Sequence, residues 1–154
     1  MALNMDEKIQ IKNTCDWVLG FKRIDSNGDV LIQPNGVMRI TRGEVLSQIA
    51  GGNKMFTGED GLGSHARIYI MDKDTRVEAD FEDAEGKQEQ NIINDDKVKA
   101  IFALKTKSAF EKAIKENFVT TAEKAVLVDD VKKFGLNEYD RVKFIESYTN
   151  MKVK

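Results

Sequence analysis

The chain has 154 residues, of which 41% are hydrophobic and 32% are charged, a composition typical of a folded globular protein. The formal net charge of −2 argues against a dedicated polyanion binder, and the lone Cys15 excludes an intrachain disulfide and a thiol-rich metal site. No apolar run approaches the roughly 20 residues of a membrane span, and the N-terminus lacks the apolar core of a signal peptide. We therefore expect a soluble protein of the cytoplasm, or of a particle assembled there, with no membrane partner.

The first third of the chain predicts short strands joined by tight turns. The first dozen residues are polar, and we expect them to be loose or extended along a neighbour. Apolar and polar side chains alternate over residues 14–24, which is typical of a half-buried strand. An Asn27-Gly28 pair predicts a hairpin with a return strand over 30–32, and a turn at Pro34 leads into a strand over 37–40. These segments predict a small antiparallel meander.

A short helix and a glycine-rich loop follow. Thr41 and Glu44 have the spacing of a capping box, which predicts a helix over residues 41–50 that ends at a glycine pair. After the loop, alternation over 65–72 predicts a strand. Residues 73–75 predict a turn, and residues 76–82 a further strand with Phe81 on its inner face.

The composition changes at residue 82. Residues 83–94 are acidic and poor in large apolar side chains, which indicates a linker, and residues 95–154 have helical spacing. Helices are predicted to begin at Asp95, after a break at Thr106, at a Thr120–Glu123 capping box and at Asn137.

The fold class predicted from these elements is α+β. Residues 1–82 form a small antiparallel β-barrel or β-sandwich of the SH3-like or OB-like kind with one inserted helix. The acidic linker joins it to a small C-terminal helical unit over residues 95–154. Acidic residues outnumber basic ones over residues 1–89, and the reverse holds over 90–154.

Three motifs suggest chemistry, and each has a simpler structural explanation. Residues 25–29 resemble the start of a calcium loop, but strands flank them, the position of the required glycine holds Val30 and that of the bidentate glutamate holds Gly36, so we interpret them as a hairpin turn. The glycines over 51–63 follow a helix instead of preceding one, which is the reverse of a phosphate-binding loop. His65, the only histidine, has no evident partner for a triad with Cys15. We therefore predict no catalytic residue, no metal site and no cofactor.

Nucleic-acid binding is the main alternative, because an OB-like or SH3-like barrel presents aromatic and basic side chains to single strands. The candidate cations are Arg23, Arg39, Arg42, Lys54 and Arg67, and the candidate stacking residues are Trp17, Phe21 and Tyr69. A helix-turn-helix over residues 121–148 is disfavoured, because its second helix begins with acidic residues where DNA would lie. The acidic balance of the β unit also favours a protein partner.

The central stretch carries a resemblance. The residues concerned are Ile40-Thr41-Arg42-Gly43-Glu44, Leu46, Gly52-Asn53, Phe56-Thr57-Gly58, Gly61, Gly63, Ser64-His65-Ala66 and Ile68-Tyr69-Ile70. Over residues 40–70 the chain resembles small proteins encoded among the virion structural genes of tailed bacteriophages.

That resemblance implies a β-barrel or β-sandwich module that decorates a capsid or lies at the head–tail connection and acts by protein–protein contacts within an oligomer. It implies that the glycine-rich loop meets neighbouring subunits, through Gly52, Asn53, Phe56, Gly58, Asp60, Gly61, Gly63 and His65. The expected location is the virion, assembled in the host cytoplasm.

Overall fold

The computed structural model describes residues 3–87, 90, 92–93 and 95–153. The fold class is α+β, as predicted, with two small antiparallel sheets and seven helices over these residues. The chain divides into two compact units, Met1–Ile92 and Ile93–Lys154. Four positions of the predicted linker (88, 89, 91 and 94) lie outside the described residues.

Five strands form the sheets of the first unit. They are β1 (Lys8–Asn13), β2 (Leu19–Lys22), β3 (Asp29–Ile32), β4 (Val37–Thr41) and β5 (Ile68–Ile70). One sheet has the order β4-β1-β5, and β2 and β3 form a separate hairpin. Neither sheet closes on itself, so the predicted barrel is not observed.

The central strand of the larger sheet lies where we expected a loose N-terminus. In β1 the side chains of Ile9 and Ile11 are buried while those of Lys8 and Gln10 are exposed, so the strand alternates as a one-sided sheet requires. The prediction of a loose segment was therefore wrong for β1, which is extended between two strands of its own chain. Two buried isoleucines among polar residues are enough for a strand that has partners on both edges.

The predicted meander is only half correct. The hairpin exists, with Lys22 opposite Asp29 and with Arg23 N–H donating to the carbonyl of Gly28. The strand predicted over 14–24 is reduced to β2, and β4 pairs with β1 instead of continuing the hairpin. Asn13 ties the two sheets together, because its buried amide donates to the carbonyls of Ile32 and Gln33.

The first unit contains three helices, α1 (Arg42–Ala50), α2 (Lys54–Thr57) and α3 (Lys73–Glu78). The predicted helix is confirmed as α1, and Thr41 Oγ1 accepts from Glu44 N–H at 3.2 Å. The Glu44 carboxylate, however, accepts from the N–H groups of Ile24 and Asp25 instead of completing the capping box. The strand predicted over 76–82 was wrong, because Asp72 caps a helix there by accepting from Thr75 N–H. Phe81 is nevertheless buried, as expected.

The second unit consists of α4 (Asp95–Phe102), α5 (Lys107–Asn117), α6 (Thr121–Lys133) and α7 (Tyr139–Thr149). Thr106 caps α5, and Thr120 with Glu123 forms the predicted capping box of α6. The predicted cap at Asn137 was wrong, since α7 begins after Glu138 without a side-chain cap. The buried side chains of this core are Ile93, Val98, Ile101, Phe110, Ile114, Phe118, Leu127, Val128, Val131 and Ile145.

Two isoleucines of the segment that we assigned to the linker, Ile92 and Ile93, are buried. Ile93 belongs to the core of the second unit. Across the described parts of the chain, every helix is too short or too polar to cross a bilayer.

Candidate functional site

The glycine loop, defined here as Gly58–His65, is closed by backbone hydrogen bonds at its base. Gly58 and Ser64 form an isolated β-bridge, and Glu59 N–H donates to the Ser64 carbonyl at 2.8 Å. A second backbone hydrogen bond also closes the base of the loop, because Gly63 N–H donates to the Thr57 carbonyl at 2.7 Å. The base of the loop therefore has a fixed geometry, although the loop contains three glycines.

Asp60 fixes the tip of the same loop from within. Its carboxylate accepts from the N–H of Leu62 at 2.8 Å, from the N–H of Ser64 at 3.2 Å and from the Ser64 hydroxyl at 2.7 Å. Partial burial alone would raise the pKa of Asp60, but these hydrogen bonds outweigh it and hold that pKa below its usual value. The ionised carboxylate therefore serves the loop as an internal clamp.

Two glycines are required by space as well as by backbone conformation. Gly58 has a φ of +68°, and a β-carbon there would collide with the Ser64 carbonyl oxygen. Gly63 is buried, and a β-carbon there would collide with the side chain of Gln90, whose amide donates to the Gly63 carbonyl at 2.9 Å. These residues build the loop and offer no surface to a partner.

The residues predicted to contact neighbours therefore separate into a scaffold and a surface. Phe56 is fully buried and packs edge-on against Phe21 at a centroid distance of 5.3 Å, so the structure removes it from the contact set. Asn53 caps α2 and donates to Gln48 Oε1, and His65 is half-buried with a φ of +61°. The exposed members are Gly52, Asp60 and Gly61.

Leu62 is the residue that the sequence analysis missed. It lies at the tip of the loop between Gly61 and Gly63, and 43% of it is exposed. The signal was an apolar side chain inside a turn-forming segment next to two acidic residues, Glu59 and Asp60. What distinguishes Leu62 from other exposed apolar residues, such as the more exposed Leu31 and Ile24, is its place in a loop held by hydrogen bonds.

In the structure, the calcium-like segment and Cys15 make contacts that stabilise the fold. The Asp25–Asp29 segment joins β2 to β3, and Asp25 Oδ1 accepts from the Ser47 hydroxyl at 2.8 Å. Cys15 is buried, and its N–H donates to Asn13 Oδ1. Over the described residues, no cluster of three or more His, Cys, Asp or Glu side chains is arranged to hold a metal ion.

The residues predicted as candidates for nucleic-acid binding do not share one surface. Arg42 is buried and bonded to Asp72 at 3.1 Å and to Glu7 at 3.2 Å, and Phe21 packs on Phe56, so neither is available. Arg39 and Tyr69, by contrast, point to the open side of the β4-β1-β5 sheet, because they are paired with outward-facing residues of β1.

A shallow groove of about 190 Å³ lies between α5 and α7 in the second unit. Arg141 lines it, but its guanidinium donates to the carbonyls of Phe102 and Leu104 and stands 4.5 Å from the centre of the Phe110 ring. Arg141 therefore caps carbonyl groups at and after the end of α4, and its guanidinium has a structural role.

Comparisons of the chain with protein-family models, with curated proteins and with solved structures found no match. Two surfaces of the first unit remain as candidates for function, namely the tip of the glycine loop and the open side of the β4-β1-β5 sheet.

Proposed function

We propose that this protein is a non-enzymatic structural component of a tailed-bacteriophage virion, associated with the capsid or with the head–tail connection, and that it acts through protein–protein contacts. The observation that carries this proposal is the glycine loop. A closed base and an internal carboxylate clamp hold a loop whose exposed tip consists of Glu59, Asp60, Gly61 and Leu62.

The hydrogen bonds within the glycine loop favour binding, because they reduce the free energy needed to order the loop. Ordering a flexible loop during association costs free energy, and a loop that is already held in one conformation avoids most of that cost. Leu62 supplies apolar area at the tip, and the charge of Glu59 in the same loop discourages unspecific association. We infer that the loop inserts Leu62 into an apolar depression on a neighbouring subunit.

The resemblance to virion proteins supports the same surface. Its residues include Gly58, Gly63 and Ser64, which build the base of the loop. The resemblance spans residues 40–70, from the end of β4 through α1 to β5, and the residues that build the base of the glycine loop are part of it.

The experiment compares two leucine variants of the full chain. Leu62→Asp places a charge at the loop tip, while Leu31→Asp places the same charge on β3, where Leu31 is 60% exposed. Particles are prepared from a phage that carries each version of the gene, and the protein in purified particles is quantified by mass spectrometry. We expect the wild-type and Leu31→Asp proteins in stoichiometric amounts and the Leu62→Asp protein to be depleted at least tenfold.

Thermal denaturation of both purified variants shows whether they fold like the wild type. Absence of the wild-type protein from purified particles would overturn the virion proposal. Equal incorporation of the folded Leu62→Asp protein would overturn the role of the glycine loop.

A further inference from the structure

The β4-β1-β5 sheet has one buried side and one open side, which we call the outer face. On the buried side lie Ile9, Ile11, Ile40, Ile68 and Ile70, all at most 4% exposed. Residues that are directly opposite in an antiparallel pair share a face, so the register defines the outer face. Its members are Lys8, Gln10, Lys12, Val37, Arg39, Thr41 and Tyr69, and the ladder continues with Met71 beside Gln10 and Arg67 beside Thr14.

The outer face is positive although the unit that contains it is rich in acidic residues. It carries Lys8, Lys12, Arg39 and Arg67, and none of the residues named above is acidic. Lys12 is half-buried and the other three are exposed, and none of the four makes an ion pair with another described residue. A single-sign cluster on an exposed surface raises the local concentration of anionic ligands.

An aromatic ring lies among these cations. Tyr69 is the cross-strand neighbour of Lys12, and the guanidinium of Arg76 stands 5.1 Å from the centre of its ring. Arg76 is itself held by Glu82 at 2.9 Å and by the Ile70 carbonyl at 2.7 Å. The ring of Tyr69 is therefore fixed at the edge of the sheet, half-exposed, where a nucleobase can stack on it.

We propose that the outer face binds single-stranded nucleic acid, with Lys8, Lys12, Arg39 and Arg67 contacting phosphates and Tyr69 stacking with a base. Unstacked bases lie readily on an open sheet that carries an exposed aromatic ring, which favours a single strand over a duplex. An acidic protein segment would also complement the charge, but the tyrosine among the cations favours bases. This inference concerns a different surface from the glycine loop and is independent of the proposed function.

The first test measures binding of the full chain to a fluorescein-labelled single-stranded oligothymidylate of about 16 nucleotides, a length within the range bound by one small sheet domain. Fluorescence anisotropy is recorded over a series of salt concentrations. If all four cations contact phosphates, the slope of log K against log salt is about −2.8, at roughly −0.7 for each contact in a single strand. A duplex of the same length is expected to bind more weakly.

Two lysine variants separate the outer face from general charge. Lys12→Glu reverses a charge at the centre of the face, and Lys54→Glu reverses an exposed charge on α2. We expect Lys12→Glu to weaken binding and to reduce the magnitude of the salt slope by about 0.7 or more. Lys54→Glu should leave the slope unchanged. Equal effects of the two variants, or no binding by the wild type at low salt, would overturn the proposal.

Two tyrosine variants test the stacking. Tyr69→Ala is expected to weaken binding roughly fivefold or more while Tyr69→Phe retains it, because stacking requires the ring and not the hydroxyl. Thermal denaturation of Tyr69→Ala shows whether the variant is folded. If the wild type instead forms oligomers in light scattering that Lys12→Glu dissociates, the outer face is a protein interface and the nucleic-acid proposal fails.

Discussion

The carboxylate of Asp60 joins residues of the glycine loop that are otherwise connected only through the backbone. Asp60→Ala removes the acceptor of three hydrogen bonds, and we expect it to destabilise the ordered loop by about 1 kcal/mol, since the site is exposed. Hydrogen exchange of the Leu62 and Ser64 amides should accelerate several-fold while the midpoint of thermal unfolding changes little. Unchanged exchange at both amides would contradict the clamp.

The matched control is Asp60→Asn. Both backbone amides donate to the same oxygen, Oδ1, which the asparagine side chain keeps. We therefore expect most of the protection to remain. Because the pKa of Asp60 is lowered in the folded protein, the clamp is present above the unfolded pKa and is lost as pH falls through the folded pKa. The protection of these amides relative to their intrinsic exchange rates should fall in acid in the wild-type protein, and it should stay constant in Asp60→Asn.

Gly58 and Gly61 both have a positive φ but different surroundings. Gly58→Ala is expected to destabilise the first unit by about 3 kcal/mol, from roughly 1–3 kcal/mol for a backbone conformation (φ 68°, ψ −151°) that essentially only glycine adopts and 1–3 kcal/mol for the collision with Ser64. Gly61→Ala, with a φ of +79° and nothing within 4 Å of the added carbon, should cost only the backbone part, about 1 kcal/mol. Urea denaturation measures both, and equal losses would show that Ser64 moves aside freely.

At the scale of elements, Glu44 attaches α1 to the segment that follows β2. Its buried carboxylate accepts from the N–H of Ile24 at 3.0 Å and of Asp25 at 3.1 Å, and from the Gln48 amide at 3.0 Å. Burial would raise the pKa of Glu44, but the hydrogen bonds, together with the charge of Arg23, outweigh it and lower that pKa. The helix is thus fixed to the hairpin through an ionised buried group.

Glu44→Gln is expected to destabilise the protein by about 2 kcal/mol at neutral pH, because its amide group places a donor against other donors. The lowered pKa means that this stabilisation is present above the unfolded pKa and disappears as pH falls through the folded pKa. The difference in unfolding free energy between wild type and variant should therefore shrink in acid. Glu78→Gln, an exposed change on α3, provides the control. A difference that stays constant with pH would contradict an ionised Glu44.

The elements that were predictable from sequence carry their own start signals. Thr41, Thr106 and the Thr120–Glu123 pair all cap helices where the sequence indicated them. The strand β1 was missed because only two of its side chains are large and apolar, and its stability comes from partners on both edges. The helix α3 was missed because alternation around Phe81 outweighed the weaker signal of Asp72, which caps it.

The glycine loop was predictable as a location, but which of its side chains are exposed was not. Glycines marked the turn, but a sequence does not distinguish a glycine that faces a partner from one that allows a close internal approach, as Gly58 and Gly63 do. Phe56 was assigned to the surface because it lies in the loop segment, although its packing on Phe21 depends on a tertiary contact. Leu62 was overlooked because its exposure, like the burial of Phe56, depends on the tertiary structure.

At the scale of the molecule, the outer face and the loop tip have opposite charge within one unit. Glu59 and Asp60 lie at the exposed loop tip, whereas the outer face carries only basic charged residues. Two surfaces of opposite sign allow one molecule to engage two chemically different partners, a protein through the loop and a nucleic acid through the sheet. The variants at Leu62 and Lys12 should therefore affect particle incorporation and oligonucleotide binding separately.

The second unit has a core composed of its own residues, so we expect a fragment of residues 93–154 to fold alone. Its apolar cluster contains Phe110, Ile114, Phe118 and Leu127, each at most 1% exposed. A fragment of this size has marginal stability, so far-UV circular dichroism should show helix and a cooperative but low thermal transition. Ile114→Ala should cost about 2–5 kcal/mol and Ile114→Val about 0.5–1.5 kcal/mol, in the fragment as in the full chain. Helix content without a cooperative transition would show that the fragment lacks an independent core.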